Sequence, residues 1–303
     1  MSVALHHCED VTDHAQWLEG WQQEFDQIEE GRFSGDIVDV TGWGVRLFRE
    51  RANLGISQSM HWPEDQWHLV MPLHWPNDAL FDTDAITVLP RCEQFWSVAP
   101  GHYDLLVMSI DRSRHAWLER DACRLRTLAV PAALLAGVRA QWRAMTDYLL
   151  ASPSQDDPSA ALQSVFSRQL EEGVELLLSG CSRSPKLDGA CYRTRRYIVD
   201  RCHALTRARP DDPPSLMELC RQLRISRRTL QYSFQVETGQ APVHYLRALR
   251  LNAVRRSLLQ DPSQHIADAA ALQGFFHQSY FSREYRRLFQ EPPSTTLRRV
   301  QPS

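Results

Sequence analysis

The side chains best suited to surface hydrogen-bond chemistry lie near the end of the chain, in IADAAALQGFFHQSYFSREYRRLF, Ile266 to Phe289. The first part of this stretch reads as a short helix with Ile266, Ala269 and Ala270 on one face, ended by Gly274. The second part is an amphipathic run whose buried side is expected to hold Phe281, Tyr285 and Leu288. Its other side shows His277, Gln278, Ser279, Ser282, Arg283 and Arg286. Gln, Ser and Arg match the donors and acceptors of base edges and phosphates, so a short helix displaying them on one face is suited to reading duplex nucleic acid.

A second set of the same kind lies upstream, in LMELCRQLRISRRTLQYSF, residues 216–234. Leu216, Cys220 and Ile225 correspond to Ile266, Ala270 and Phe275 at an offset of 50, and Leu230 and Phe234 to Phe281 and Tyr285 at 51. Ser226, Arg227, Arg228, Gln231 and Tyr232 then hold the matching surface positions. Ser215 followed by Glu218 is a capping box just after Pro213-Pro214, and Ser226 is placed to cap the second helix. Each unit is therefore expected to be a short helix, a tight turn and a second helix.

Between them runs PVHYLRALRLNAVRRSLLQ, apolar on nearly every face, which predicts a central helix packed from several sides. Its length would be about 28 Å at roughly 1.5 Å per residue. Successive major-groove faces of B-DNA lie about 34 Å apart, so two units on such a strut could enter adjacent grooves from one side.

Charge agrees with this division. Residues 1–189 hold 15 basic and 28 acidic side chains, whereas residues 190–303 hold 19 and 9. All but one of the 34 basic residues are arginine, whose fork suits phosphate and guanine better than lysine does. A basic half joined to an acidic one points to nucleic acid bound by one part only. The length of 303 residues allows two or three domains, and 43% hydrophobic content is ordinary for a globular chain. No run of 18 apolar residues and no basic-then-apolar leader is present, so neither membrane association nor a signal peptide is expected. Seven scattered cysteines read as reduced thiols in a cytoplasmic protein.

All nine tryptophans lie within the first 142 residues. Residues 10–30 read as a helix with Trp17, Trp21, Phe25 and Ile28 on one face. From Phe33 to about Ile110, short runs such as IVDV, WGVRLFRE and DLLVMSI alternate with Gly, Pro, Asn or Asp, which predicts a small antiparallel sheet or barrel. Pro131 opens a helix, and a second runs to about Leu178; these are expected to serve packing or dimerisation. GCSRSPKLDG, residues 180–189, reads as a linker.

Residues 190–303 resemble the DNA-binding domain of AraC/XylS-type transcription regulators. The likeness rests on S-R-R-T-L…F…G-Q-A-P…Y-L…R-L-N-A-V-R-R from Ser226 to Arg256, and on I-A…G-F-F-H-Q-S-Y-F-S-R…Y-R-R-L-F…P from Ile266 to Pro293. It implies base or phosphate contacts from Arg228, Gln231, Tyr232, Gln278, Ser279 and Arg283. Three positions depart from the family pattern: Arg224 and Gln290 replace usual glycines, and Thr296 stands where an aromatic is usual. In the other half, W-x-x-x-F-D-x-I (Trp21 to Ile28), G-R-F-S-G (Gly31 to Gly35), V-R-L-F-R-E (Val45 to Glu50) and W-P-x-x-x-W (Trp62 to Trp67) resemble the sensor half of amine-catabolism activators in that family, the ethanolamine-operon branch among them.

The expected architecture is α+β. A cupin-like small β-barrel that senses an effector spans 1–130, a helical dimerisation or interdomain segment 131–180, a linker 181–189, and an all-α DNA-binding domain with two helix-turn-helix units on a long central helix 190–303. The resemblance implies promoter double-stranded DNA, RNA polymerase, a small-molecule effector and a second copy of the chain as partners, with transcriptional activation as the activity. Trp62, Trp67 and Trp96 sit beside Glu64, Asp65 and Glu93, and aromatic faces near carboxylates host ammonium groups. These three are the candidate effector contacts, for a primary amine or amino alcohol. The ethanolamine branch would add a second, cofactor-like ligand, but the residues themselves point to no cofactor.

His61, His68 and His74 lack the H-x-H pair with a following Glu of a metal cupin, so no metal is expected. No phosphate loop and no nucleophile elbow occurs, so no enzyme is expected. A DNA-repair alkyl-acceptor reading would need Cys8, Cys92, Cys123 and Cys181 to cluster, and they are dispersed in sequence.

Overall fold

The computed structural model describes residues 2–42, 44–76, 80–119, 121–151, 160–181, 186–187 and 190–300. Most of the 181–189 linker, and Trp43, lie outside them. The chain is a mixed α+β protein with a β-rich N-terminal part and a helical C-terminal part.

The β-rich part comprises β1 (Ser2–Cys8), a single turn α1 (Val11–His14), β2 (Gln22–Gln27), β3 (Gly35–Gly42), β4 (Val45–Ala52), β5 (Ile56–His61), β6 (Gln66–His74), β7 (Ile86–Val88), β8 (Phe95–Ala99), β9 (Tyr103–Asp111) and β10 (Arg126–Leu128). With β11 (Lys186–Leu187) they form two sheets, an eight-stranded one ordered β1-β3-β4-β9-β6-β7-β10-β11 and a three-stranded one ordered β2-β5-β8. Every recorded pairing is antiparallel.

The period of two along each strand sorts side chains into separate cores. On β9, Leu106, Met108 and Ile110 point to one face of the large sheet, where helices α2 (Ala132–Ala151) and α3 (Ala160–Gly180) cover them. Tyr103, Leu105 and Val107 point the other way and meet Phe25, Ile56, Met60 and Phe95 of the small sheet. Trp142 is the centre of the helical cover; Gly173 lies against its ring, where an added Cβ would come within 2.7 Å.

The helix expected over residues 10–30 is not formed: only α1 is helical, and Trp21 and Phe25 lead into and lie on β2. Trp21 and Phe25 are four apart, a spacing that fits one helix face and one strand face alike, so periodicity there was ambiguous. Gly20, at φ 79°, breaks the chain before the strand.

The helical part follows as α4 (Ala190–Arg207), α5 (Leu216–Leu223), α6 (Arg227–Thr238), α7 (Pro242–Gln260), α8 (Ile266–Ala271), α9 (Gln278–Phe289) and α10 (Pro293–Arg298). Helix α7 is the strut, burying Tyr245, Leu246, Leu249, Leu251, Val254 and Leu258 on several sides. The core around it is continuous with the β-rich part, because Ile28 and Trp96 pack into it.

The backbone repeats with the sequence. Ile225 N donates to the Cys220 carbonyl at 3.0 Å, and Phe275 N to the Ala270 carbonyl at 3.0 Å. Arg224 (φ 54°) and Gly274 (φ 70°) both adopt the left-handed conformation in these turns, as do Gly239 (φ 66°) and Gln290 (φ 56°) after α6 and α9. One member of each pair is a glycine and the other is not, so the turn geometry is held even where a Cβ strains it.

Candidate nucleic-acid interface

Helix α6 starts where Ser226 accepts from Thr229 N at 3.0 Å, and α5 starts with the full Ser215–Glu218 capping box. Leu230 and Phe234 anchor α6 in the core, and Phe281 and Tyr285 anchor α9, all completely buried. With those positions pinned, helical geometry turns Arg227, Arg228, Gln231 and Tyr232 of α6 outward, together with Gln278, Ser279, Ser282 and Arg283 of α9. His277, the residue before α9, is also exposed.

These side chains are not spent on the fold. Arg227 and Arg228 form no ion pair among the described residues. Arg283 is 70% exposed; it lies over the Tyr280 ring and touches Glu284 at 3.2 Å. Gln278 donates weakly, at 3.4 Å, to the Ala267 carbonyl of the preceding helix. Ser226 is the exception, since its hydroxyl is used as the cap. Every surface position named from the sequence is thus solvent-facing.

Sequence reasoning missed what the rest of the basic half does. Arg207 and Arg256 both bind the carboxylates of Glu24 and Asp26 on β2. Arg255 and Arg299 bind Asp10, and Arg287, at the far end of α9, binds Glu30 at 2.6 Å. Asn252 pairs with the backbone of β2, accepting from Gln27 N at 3.0 Å and donating to Gln27 O at 2.8 Å. Tyr245 and Ser57 meet hydroxyl to hydroxyl at 2.7 Å, and Trp96 Nε1 donates to the same Ser57 at 3.0 Å. Five arginines of the +10 half are therefore committed to the acidic half rather than left for nucleic acid. The signal that could have found this was the opposite charge of the two halves.

The three candidate effector tryptophans do not converge. Trp62 packs between the sheets against Trp21, His68 and Phe95. Trp67 points to the opposite face of the large sheet, with Arg112 and Arg126 each 5.3 Å from its ring. Trp96 faces the helical part. Alternation puts neighbours on opposite sides of a strand, and these residues come from β6, β8 and the β5–β6 turn, so proximity in sequence did not become proximity in space.

Between the sheets lies a buried carboxylate, Glu50, which accepts from Tyr103 Oη at 2.5 Å and Gln58 Nε2 at 3.3 Å, with His14 Nε2 also at 3.3 Å. His68 is buried beside Ser109 Oγ at 2.8 Å, and burial lowers its pKa to about 4, so it is neutral. Among the described residues no group of three or more His, Cys, Asp or Glu could hold a metal ion, and Cys8, Cys92, Cys123 and Cys181 form no such cluster. Among the described residues no helix is long and apolar enough to cross a membrane.

Residues 219–299 match the family described as a helix-turn-helix domain. Over 171 residues the chain is 31% identical to the probable thc operon regulatory protein of Rhodococcus erythropolis, covering 53% of this chain and 49% of that one. Over 131 residues it is 35% identical to XylDLEGF operon transcriptional activator 3 of Pseudomonas putida, covering 42% and 37%. The chain spans about half or less of the length of these two relatives. Among solved structures, an AraC-type transcriptional regulator from Chromobacterium violaceum aligns at 28% identity and TM-score 0.34, covering 37% of this chain and 99% of that one. ToxT from Vibrio cholerae aligns at 12% identity and TM-score 0.35, covering 94% and 100%. Residues 219–299 thus match a helix-turn-helix domain, and the relatives that the chain resembles are named as an operon regulatory protein and a transcriptional activator.

Proposed function

We propose that the chain is a sequence-specific transcription regulator that activates an amine-catabolism operon. The helical half, from residue 190, binds promoter double-stranded DNA through two helix-turn-helix units, α5–α6 and α8–α9, whose second helices enter successive major grooves. The β-rich half, residues 1–130, is its cupin-like sensor for a small primary amine or amino alcohol. Residues 131–180 carry the contact with a second copy, for which Tyr148, Val165 and Leu176 on α2 and α3 offer exposed apolar surface. RNA polymerase is the partner of the assembled activator.

The observation that carries this reading is the pair of exposed polar faces on α6 and α9, at matching positions of the internal repeat. Phosphate neutralisation releases counterions, so log K should fall with log salt at about −0.9 per contact. The test is a mobility-shift titration of the full chain on its own promoter at rising salt. A steep slope and preference over random DNA are expected; no salt-dependent shift on that promoter overturns the reading.

A further inference from the structure

Between the small sheet and α4 lies a cleft of about 400 Å³ to which both halves of the chain contribute. One wall is Phe95 and Trp96 of β8; the other is a single face of α4 carrying Arg196, Asp200, His203 and Arg207. The two arginines are engaged. Arg196 lies 4.1 Å over the Phe95 ring and donates to the Trp96 carbonyl, and Arg207 is bound to Glu24 and Asp26. Asp200, between them, forms no hydrogen bond and no ion pair among the described residues. Burial pushes its pKa up, against the pull of Arg196 and Arg201.

A half-buried carboxylate with no direct partner, in a cleft walled by an indole, is a host for a cation. The neighbouring imidazole does not oppose one: burial holds His203 at about 4, with Arg207 acting the same way, so it is uncharged near neutral pH. An inorganic divalent ion does not suit the cleft, because among the described residues no set of three ligating side chains gathers there. An organic ammonium needs only one carboxylate and aromatic surface.

We propose that this cleft binds a small organic ammonium ion, with Asp200 pairing its charge and Trp96 providing its aromatic wall. This deepens the amine-responsive reading above and rests on it. The bound ion touches β8 of the sensor and α4 of the helical half together. One hydrogen bond further on, Trp96 Nε1 and the Tyr245 hydroxyl share Ser57, so occupancy acts directly on the joint between α7 and the small sheet.

The test is titration of the full chain with ethylammonium chloride and 2-aminoethanol hydrochloride, followed by tryptophan emission, with potassium chloride, propan-1-ol and sodium acetate as controls. Wild type is expected to saturate with the two ammonium ions only, and Asp200→Asn to bind them at least tenfold more weakly while keeping the native circular dichroism. Ala204→Leu, which narrows the cleft and leaves the carboxylate in place, is expected to weaken them as well, and it decides the matter if Asp200→Asn does not fold. Equal saturation in wild type and both variants overturns the cleft while leaving an amine effector standing. Saturation by acetate but by neither ammonium ion overturns the amine reading itself, and no saturation by any probe overturns both.

Discussion

Arg228 on α6 and Arg256 on α7 belong to the same arginine-rich half of the chain, yet their surroundings are opposite. Arg228 is exposed and has no acidic partner among the described residues, whereas Arg256 is largely buried and grips Asp26 at 2.5 Å and Glu24 at 2.9 Å. The helical half holds both kinds. Arg227 and Arg228 of α6 have no acidic partner among the described residues, whereas Arg207 of α4, Arg255 and Arg256 of α7, Arg287 at the far end of α9 and Arg299 after α10 pair with carboxylates of the β-rich half. Net charge alone does not measure affinity for DNA, because part of it is neutralised within the molecule. What distinguishes the two kinds is desolvation: a buried guanidinium must be paired, and an exposed one need not be.

The largest effect expected from disturbing this contrast comes from Asp26, only 1% exposed. Asp26→Ala leaves Arg207 and Arg256 sharing Glu24, and removing one partner of a buried ion pair costs about 3–5 kcal/mol. Urea unfolding of the full chain measures it, and a loss below about 1 kcal/mol would mean that water replaces the carboxylate.

Acid should act next. His68 and His203 are held at about 4 in the folded chain, below the roughly 6.5 of an unfolded histidine. The unfolded chain therefore takes up protons first as pH falls. Stability contributed by these neutral imidazoles is complete above about 6.5 and declines toward pH 4, by up to about 1.4 kcal/mol per pH unit for each. Unfolding midpoints between pH 7 and 4.5 should show it. His203→Phe, on α4, should remove about half of the slope; a slope equal to wild type would contradict this source.

At the exposed arginines the ranking inverts between stability and function. Arg228→Ala and Arg283→Ala should each cost about 1–3 kcal/mol of specific DNA binding if the side chain reads a guanine. Stability should change by no more than about 0.5 kcal/mol. Equal loss on specific and random duplexes would assign these arginines to phosphate alone.

The smallest expected effect concerns the strained turns. Arg224→Gly and Gln290→Gly relieve a left-handed residue whose Cβ costs about 1–2 kcal/mol, offset by the greater chain entropy of glycine, for a net gain of about 0.5–1 kcal/mol each. Thermal unfolding would show a higher midpoint, and a lower one would mean that the two side chains contribute more than the strain they impose.

The helical half was the more legible part. Leu230, Phe234, Phe281 and Tyr285 were assigned as buried from spacing alone, and all four are. The capping box at Ser215 and Glu218 forms as its residue types require. These features depend on residues within a turn or two of each other, where helix geometry dictates which side chains share a face. The β-rich half was legible as strand-rich but not as a site. Trp62, Trp67 and Trp96 looked like one aromatic group in sequence and occupy three compartments, because a strand sends successive side chains to opposite faces and the partner of each face is chosen by chain folding.

Sequence by itself determined the element types of the helical half, the internal repeat and the identity of the outward polar faces, all of which follow from local periodicity, caps and charge; over residues 10–30 it did not, since Trp21 and Phe25 fit a helix face and a strand face alike. Only the tertiary structure decided which arginines remain free. Asp10, Glu24, Asp26 and Glu30 lie more than 180 residues from the guanidinium groups they neutralise. Sequence marks α7 as packed on several sides but not what packs on it; Arg256 differs from Arg228 because the β-rich half docks on α7, where loss of water makes pairing obligatory.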